Sequence, residues 1–248
     1  MKKLIYTFLI IVAVSCNSEN AIDCFQTAGT MIQEEFNVGD FEKILVHKKV
    51  AVILKQGPNY KVVVETGENL LPEIAVDVTN NKLTIRNNNN CNFVRAYGIT
   101  KVYVTAPNIT EIRNASEQTL SSDGVLTYPS LYIVSVGDKS KYLAVGDIDL
   151  HVENETVKIW SNGVANLFFK GSTNNLDINF SNGDTRFEGQ NLIAKNVNVT
   201  QVSSNDMLVF PTERLTGSIH STGSVISYNI PPLVDVDVQS QGQLIFKQ

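Results

Sequence analysis

From Phe41 onward, apolar residues alternate with polar ones in run after run: Ile44 and Val46; Val50, Val52 and Leu54; Val62 and Val64; Ile74, Val76 and Val78; Leu83 and Ile85; Val102 and Val104. A period of two, rich in β-branched residues and punctuated by Gly, Asn and Asp, predicts half-buried strands, because successive Cβ atoms of an extended chain point to opposite faces. No window of a dozen residues carries a 3.6-residue apolar stripe. A helical turn at most is expected around Glu34-Glu35 and from Glu68 to Leu71.

The second half repeats itself. A Ser followed two places later by Gly or Asn recurs at Ser135-Val-Gly137, Ser161-Asn-Gly163, Ser181-Asn-Gly183, Ser203-Ser-Asn205, Ser221-Thr-Gly223 and Ser240-Gln-Gly242, with Ser116-Glu-Gln118 as a degenerate first copy. The serines lie 18 to 26 residues apart, and each interval holds short β runs such as Leu176, Ile178 and Phe180. Such a period predicts an all-β fold, a β-helix-like parallel solenoid with coils of about 20 residues stacked about 4.8 Å apart. A sandwich of hairpins is the competing architecture, since Asn162-Gly163 and Asn182-Gly183 suit two-residue antiparallel turns. One pairing separates the two. A solenoid sets Ile159 beside a residue one coil away, near Ile178 or Phe180, whereas a hairpin pairs it with Leu167. Gly and Asn at the corners supply positive φ, and the 26 asparagines suit amide ladders at stacked corners. The run Asn87 to Asn90 reads as a solvated loop.

The N-terminus speaks to location. Lys2 and Lys3 precede eleven uncharged residues, Leu4 to Val14, followed by Ser15-Cys16. Eleven residues span about 16 Å as a helix, roughly half of a hydrocarbon core, so residues 1–15 read as an export signal. Ser15 directly before Cys16 resembles the lipobox of bacterial lipoproteins, which implies acylation of Cys16; an ordinary secretory signal cleaved nearby is the alternative. Residues 16–23 are then a lipidated cysteine and polar tether, and residues 24–248 a single solenoid domain. The partner expected through the N-terminal lipid is a bacterial envelope membrane, the outer membrane on its periplasmic or surface side. Cys24 and Cys91 remain as an even pair in an exported chain, which points to a disulfide. Closing their 67-residue separation is worth about 4 kcal/mol in the chain-entropy account.

Composition narrows the chemistry. The chain is 43% hydrophobic and 18% charged, with a net charge of −5 that grows more negative once Lys2 and Lys3 are removed. That sign disfavours nucleic acid, whose binding draws on phosphate neutralisation. Three His, three Cys and one Trp offer little for a metal centre or cofactor, and none is expected. No P-loop, GxGxxG, GxSxG, HExxH or CxxC occurs, and no catalytic residue is assigned. The possible ligand contacts are Asp235, Asp237 and Trp160. The two aspartates alternate with Val234, Val236 and Val238, so both project outward if the valines point inward. Paired carboxylates suit Ca²⁺ or acid–base work on a sugar, but both uses require further converging groups, and a solvated strand face that discourages edge-to-edge stacking is the leading account and suffices by itself. Trp160, beside a corner, suits stacking on a sugar ring or packing as a cap.

Phe41-Glu-Lys-Ile44, Tyr60 to Asn69 (YKVVVETGEN), Val102 to Pro107, the serial Ser-x-Gly corners and the ending from Thr222 (TGSVISYNIPPLVDVDVQSQGQLIF) resemble the autotransporter-adhesin family with the head GIN domain, exported proteins common in Bacteroidetes. The resemblance covers roughly residues 24 to 248 and implies a β-helix-like solenoid exposed on the envelope. The family's Ser-Gly-Ser-Gly-Asp corners are worn here, with Asn or Gln in place of several glycines. The leading expectation is a non-enzymatic envelope lipoprotein, an adhesin or surface-binding solenoid with a glycan or protein ligand. The alternatives are a polysaccharide-degrading enzyme on a β-helix and a periplasmic structural or sensing element.

Overall fold

A computed structural model describes residues 24–138 and 141–247. The signal segment, Cys16 and the tether lie outside the described residues. The protein is all-β, with seventeen strands, one 3-10 turn at Leu71–Glu73 and no α-helix among the described residues.

Two ladders run side by side. The first joins β6 (Lys82–Asn87), β2 (Lys43–Val46), β8 (Glu111–Asn114) and β10 (Ser130–Ser135) to the second halves of β11 (Ile148–Ser161), β12 (Asn166–Phe180), β13 (Arg186–Gln201) and β14 (Met207–Ile219), and ends on β16 (Leu233–Val238). The second joins β7 (Lys101–Ala106), β3 (Ala51–Gln56) and β9 (Leu120–Leu126) to the first halves of β11 to β14, then β15 (Val225–Ser227) and β17 (Leu244–Phe246). Every pairing named so far is parallel. Ile159 lies beside Ile178, and Ile178 beside Val199; Ile159 is not paired with Leu167, whose partners are Ile148 and Phe187. The hairpin alternative is therefore absent at the Asn162-Gly163 corner.

The alternation sends one column of each ladder inward. Ile44, Ile112, Ile133, Ile159, Ile178 and Val199 are neighbours in turn and are at most 2% exposed. Opposite them run Val52, Leu120, Ile148, Leu167, Phe187 and Met207, also buried. Each such side chain removed from water contributes about 1.5–3 kcal/mol. Corners are closed by buried hydroxyls: Ser161 Oγ donates to the Ser135 carbonyl (3.0 Å), Ser203 Oγ to that of Thr185 (2.8 Å) and Ser116 Oγ to that of Val50 (2.9 Å).

The N-terminal third departs from uniformly parallel pairing. There β5 (Ile74–Thr79) pairs antiparallel with β6, β4 (Lys61–Gly67) antiparallel with β7, and β1 (Met31–Phe36) antiparallel with β4. Of these, only β5 and β6 form a hairpin, joined by the turn at Asn80 and Asn81; the β4/β7 and β1/β4 pairs join strands far apart in the chain. Glu34 and Glu35, expected in a helical turn, lie in strand β1. The serine spacing marks the register at one step only: Ser135 is level with Ser161, but Ser161 is level with Phe180, Phe180 with Gln201, and Gln201 with Ile219. Any inward residue can hold that height, so the serines drift past it. Cys24 and Cys91 are joined by a disulfide (S–S 2.12 Å). Beside it, the asparagine run is only partly a solvated loop. Asn89 is buried, donating Nδ2–H to the Leu70 carbonyl (3.1 Å), with its backbone N–H on Asn87 Oδ1 (3.1 Å).

Candidate functional site

The outward face of the first ladder gathers the polar chemistry. Because the strands are parallel and nearly in register, outward residues of one parity stack into columns. One column runs Glu111, Tyr132, Lys158, Asp177, Asn198, Thr216 and Asp235. The next runs Trp160, Asn179, Thr200, Ser218 and Asp237. Trp160 is 37% exposed, and its indole Nε1–H donates to Ser181 Oγ (3.1 Å), which sets the ring against the face. A shallow groove lies between Ser130, Tyr132, Lys158, Trp160, Asp177 and Asn179. A second concavity continues across Asn175, Asn196, Asn198, Arg214 and Thr216.

Hydrogen bonds tie the columns together. Asn196 Nδ2 donates to Asn175 Oδ1 (3.1 Å), Asn198 Nδ2 to Asp177 Oδ1 (3.1 Å), and Thr216 Oγ1 to Asn198 Oδ1 (3.2 Å). Amide ladders were expected at the corners; these run up the strand face, where matched parity brings amides about 4.8 Å apart. The ladder holds its side chains in fixed orientations and leaves lone pairs and N–H groups for a ligand. Burial, and then the nearby Glu111 carboxylate, pushes the Tyr132 phenol above its ordinary range, so at neutral pH it keeps its proton and can donate. At the N-terminal border of this face Tyr142 folds over the strands, with the Arg113 guanidinium 4.8 Å from its ring centre and the His47 ring 5.9 Å away.

The structure places the three residues singled out from sequence on this one face, but not in one site. Trp160 and Asp237 share a column with Asn179, Thr200 and Ser218 between them, four strand spacings or about 19 Å. Trp160 belongs to the groove. Asp235 and Asp237 stand on β16, outward as expected, but the valines beside them are not buried: Val234 and Val238 are 40% and 46% exposed, with no strand among the described residues on the open side of β16. Among the described residues no three His, Cys, Asp or Glu side chains converge to hold a metal ion. Tyr128, by contrast, is buried and donates its hydroxyl to the Ala106 carbonyl (3.2 Å).

Lys158, Asp177 and Asn179 are missed by sequence reasoning. Singly each looks like any polar residue of an exposed strand face. The signal was their common parity at coil-length offsets, which becomes readable once the register is known.

Comparison with solved structures returns the same architecture. A putative adhesin from Bacteroides fragilis superposes with a TM-score of 0.79 at 18% identity, over 89% of this chain and 99% of that one. A putative lipid binding protein from Parabacteroides distasonis gives 0.64 at 12% identity over 89% and 98%, and a putative adhesin from the same species 0.61 at 15% over 89% and 99%. At such identities the likeness speaks for the fold alone. No curated protein matches the sequence. Residues 40–231 match the family model described as "Putative auto-transporter adhesin, head GIN domain", and the chain belongs to that family.

Proposed function

We propose that this chain is a non-enzymatic binding protein of the bacterial envelope, a parallel β-solenoid formed by residues 24–248 that presents the Tyr132–Trp160 face to a glycan. The observation that carries this reading is the groove itself: two aromatic rings, one carboxylate, one ammonium and a run of amides on a rigid sheet. Sugar rings offer apolar C–H faces that stack on aromatics and hydroxyls that pair with amides and carboxylates. The solenoid is supported by parallel neighbours 17 to 21 residues apart from β11 to β17. Attachment through acylated Cys16 fits an adhesin, and no helix among the described residues is long and apolar enough to cross a membrane. A lipid ligand, suggested by the name of the Parabacteroides neighbour, finds less support. The interior where an acyl chain would lie is filled by side chains such as Phe169 and Phe187, whose ring centres are 5.6 Å apart.

The test is a glycan array probed with the exported chain, followed by titration of any hit against Trp160→Ala. Truncating a central aromatic contact costs about 2 kcal/mol, or about 30-fold in Kd. An array with no hit, or a hit bound equally by both proteins, would overturn the reading. Independently, Cys16→Ala should lose acyl label and leave the membrane fraction; a variant that stays labelled would exclude lipidation at Cys16.

A further inference from the structure

The C-terminal end of the stack is built differently from the other end. Among the described residues β16 pairs only with β14, and β17 only with β15. Both therefore have an open edge. The Gln239 N–H donates to the Ile219 carbonyl (2.9 Å) and the Lys247 N–H to that of Ser227 (2.8 Å). In a parallel ladder N–H and C=O of one residue point to the same side and alternate along the strand. The odd-numbered residues thus face the strand beneath, and Val234, Val236, Val238, Leu244 and Phe246 turn their backbone groups to the open side.

The same even-numbered residues continue the inward columns. Leu215, Ile219 and Val225, one strand beneath, are fully buried. Their neighbours Val234, Val238 and Leu244 are not, and Val234, Val238 and Phe246 reach 36–46% exposure. The core ends in the open, whereas a stack of repeats ordinarily closes on a polar capping unit. Neither edge strand carries the Pro, Lys or bulge that usually blunts such an edge. The charges within these two strands are Asp235 and Asp237. Both are exposed, and beneath them stand neutral Thr216 and Ser218. Asp237 accepts a hydrogen bond from Gln239 Nε2, and the nearby Lys247 ammonium lies 5.3 Å from the Tyr228 ring centre, on the other ladder.

We infer that this end is an acceptor for an extended segment of another protein that alternates basic and apolar residues, added as the next strand beside β16. Backbone groups of the added strand would meet those of Val234, Val236 and Val238. Its apolar side chains would cover the valines, and its basic ones would stand level with Asp235 and Asp237, where opposite charges directly across a strand pair are favourable. A second copy of this chain fits worse. Antiparallel pairing of two β16 strands that keeps the edge-facing residues opposite one another sets Asp235 against Asp237, or one of them against itself, in every register of good overlap. Like charges directly opposed are destabilising.

The experiment measures fluorescence anisotropy of two labelled, monomeric seven-residue peptides, VKVKVKV and VEVEVEV, with the whole purified chain. The expected result is saturable binding of the basic peptide, at least tenfold tighter than the acidic one and at least tenfold weaker in 0.5 M salt than in 0.05 M. The doubly substituted Asp235→Lys, Asp237→Lys chain should reverse the order of the peptides. Val236→Pro, which removes an edge N–H and no ladder bond, should abolish binding of both. Unchanged circular dichroism establishes that each variant is folded; if Val236→Pro is not, the charge reversal decides alone. Equal binding of the two peptides, no binding of either, or an order unaffected by the charge reversal would overturn the inference. So would a dimer in sedimentation velocity that dissociates on the same substitutions, since a second copy would then be the occupant.

Discussion

Gly217 offers a sharp test of the β13/β14 register. It stands level with Val199 in the inward isoleucine column and has φ of +128°. A Cβ built there would lie 1.9 Å from the Val199 carbonyl oxygen and 2.8 Å from its carbonyl carbon. Those atoms are backbone of the neighbouring strand and can retreat only by opening the ladder. Holding an L residue at this φ costs about 1–3 kcal/mol, and forcing extra volume into a packed position costs about 1–3 more. Gly217→Ala should therefore lose about 2–6 kcal/mol, a large part of the 5–15 kcal/mol that ordinarily separates folded from unfolded chains. Gly39 is the matched control, with no atom within 4 Å of an added Cβ and no positive φ. Gly39→Ala should be neutral or stabilising by up to about 1 kcal/mol. Urea denaturation of both variants and the parent, with the disulfide intact, gives the comparison. A Gly217→Ala chain within 1 kcal/mol of the parent would refute the close approach of Val199 and with it the pairing of these strands.

Opening the Cys24–Cys91 bridge, which spans 67 residues, by Cys24→Ser with Cys91→Ser should lower stability by about 4 kcal/mol. Reducing agent should then cease to affect the urea midpoint, while it lowers that of the parent. For His47, burial first, and then Arg86, Lys141, Lys48 and Lys82, hold the imidazole below its ordinary pKa of 6.5. The unfolded chain consequently binds a proton at a higher pH than the folded one, so stability is unaffected well above pH 6.5 and declines as pH falls through that value toward the folded pKa. His47→Gln should flatten this slope in urea midpoints measured from pH 7.5 to 5; an unchanged slope would assign it to other groups.

Strand content was legible in sequence because alternation is a local property: each Cβ direction follows from the extended backbone of its own residue. Ile159, Leu176 and Ile178 could be assigned to the interior with no knowledge of their neighbours, and their interiors are as read. The spacing of neighbours was legible too: parallel partners from β11 to β17 lie 17 to 21 residues apart, as the repeat in the sequence led one to expect. The disulfide followed from an even count of cysteines. What lies beside what was decided only in three dimensions. Backbone ladders accept any side chain, so nothing in Ser161 or Ser181 dictated that Ser161 would stand level with Phe180. The antiparallel β5/β6 pair shows the same indifference, using alternating runs like those of the parallel ladders. The candidate site inherits this division. Trp160 was conspicuous as the sole tryptophan, whereas Tyr132, Lys158 and Asp177 became one column only through register. Asp235 and Asp237 were correctly turned outward, but their valine neighbours were expected in a core. Burial needs a covering strand, and alternation alone does not record which strands have one.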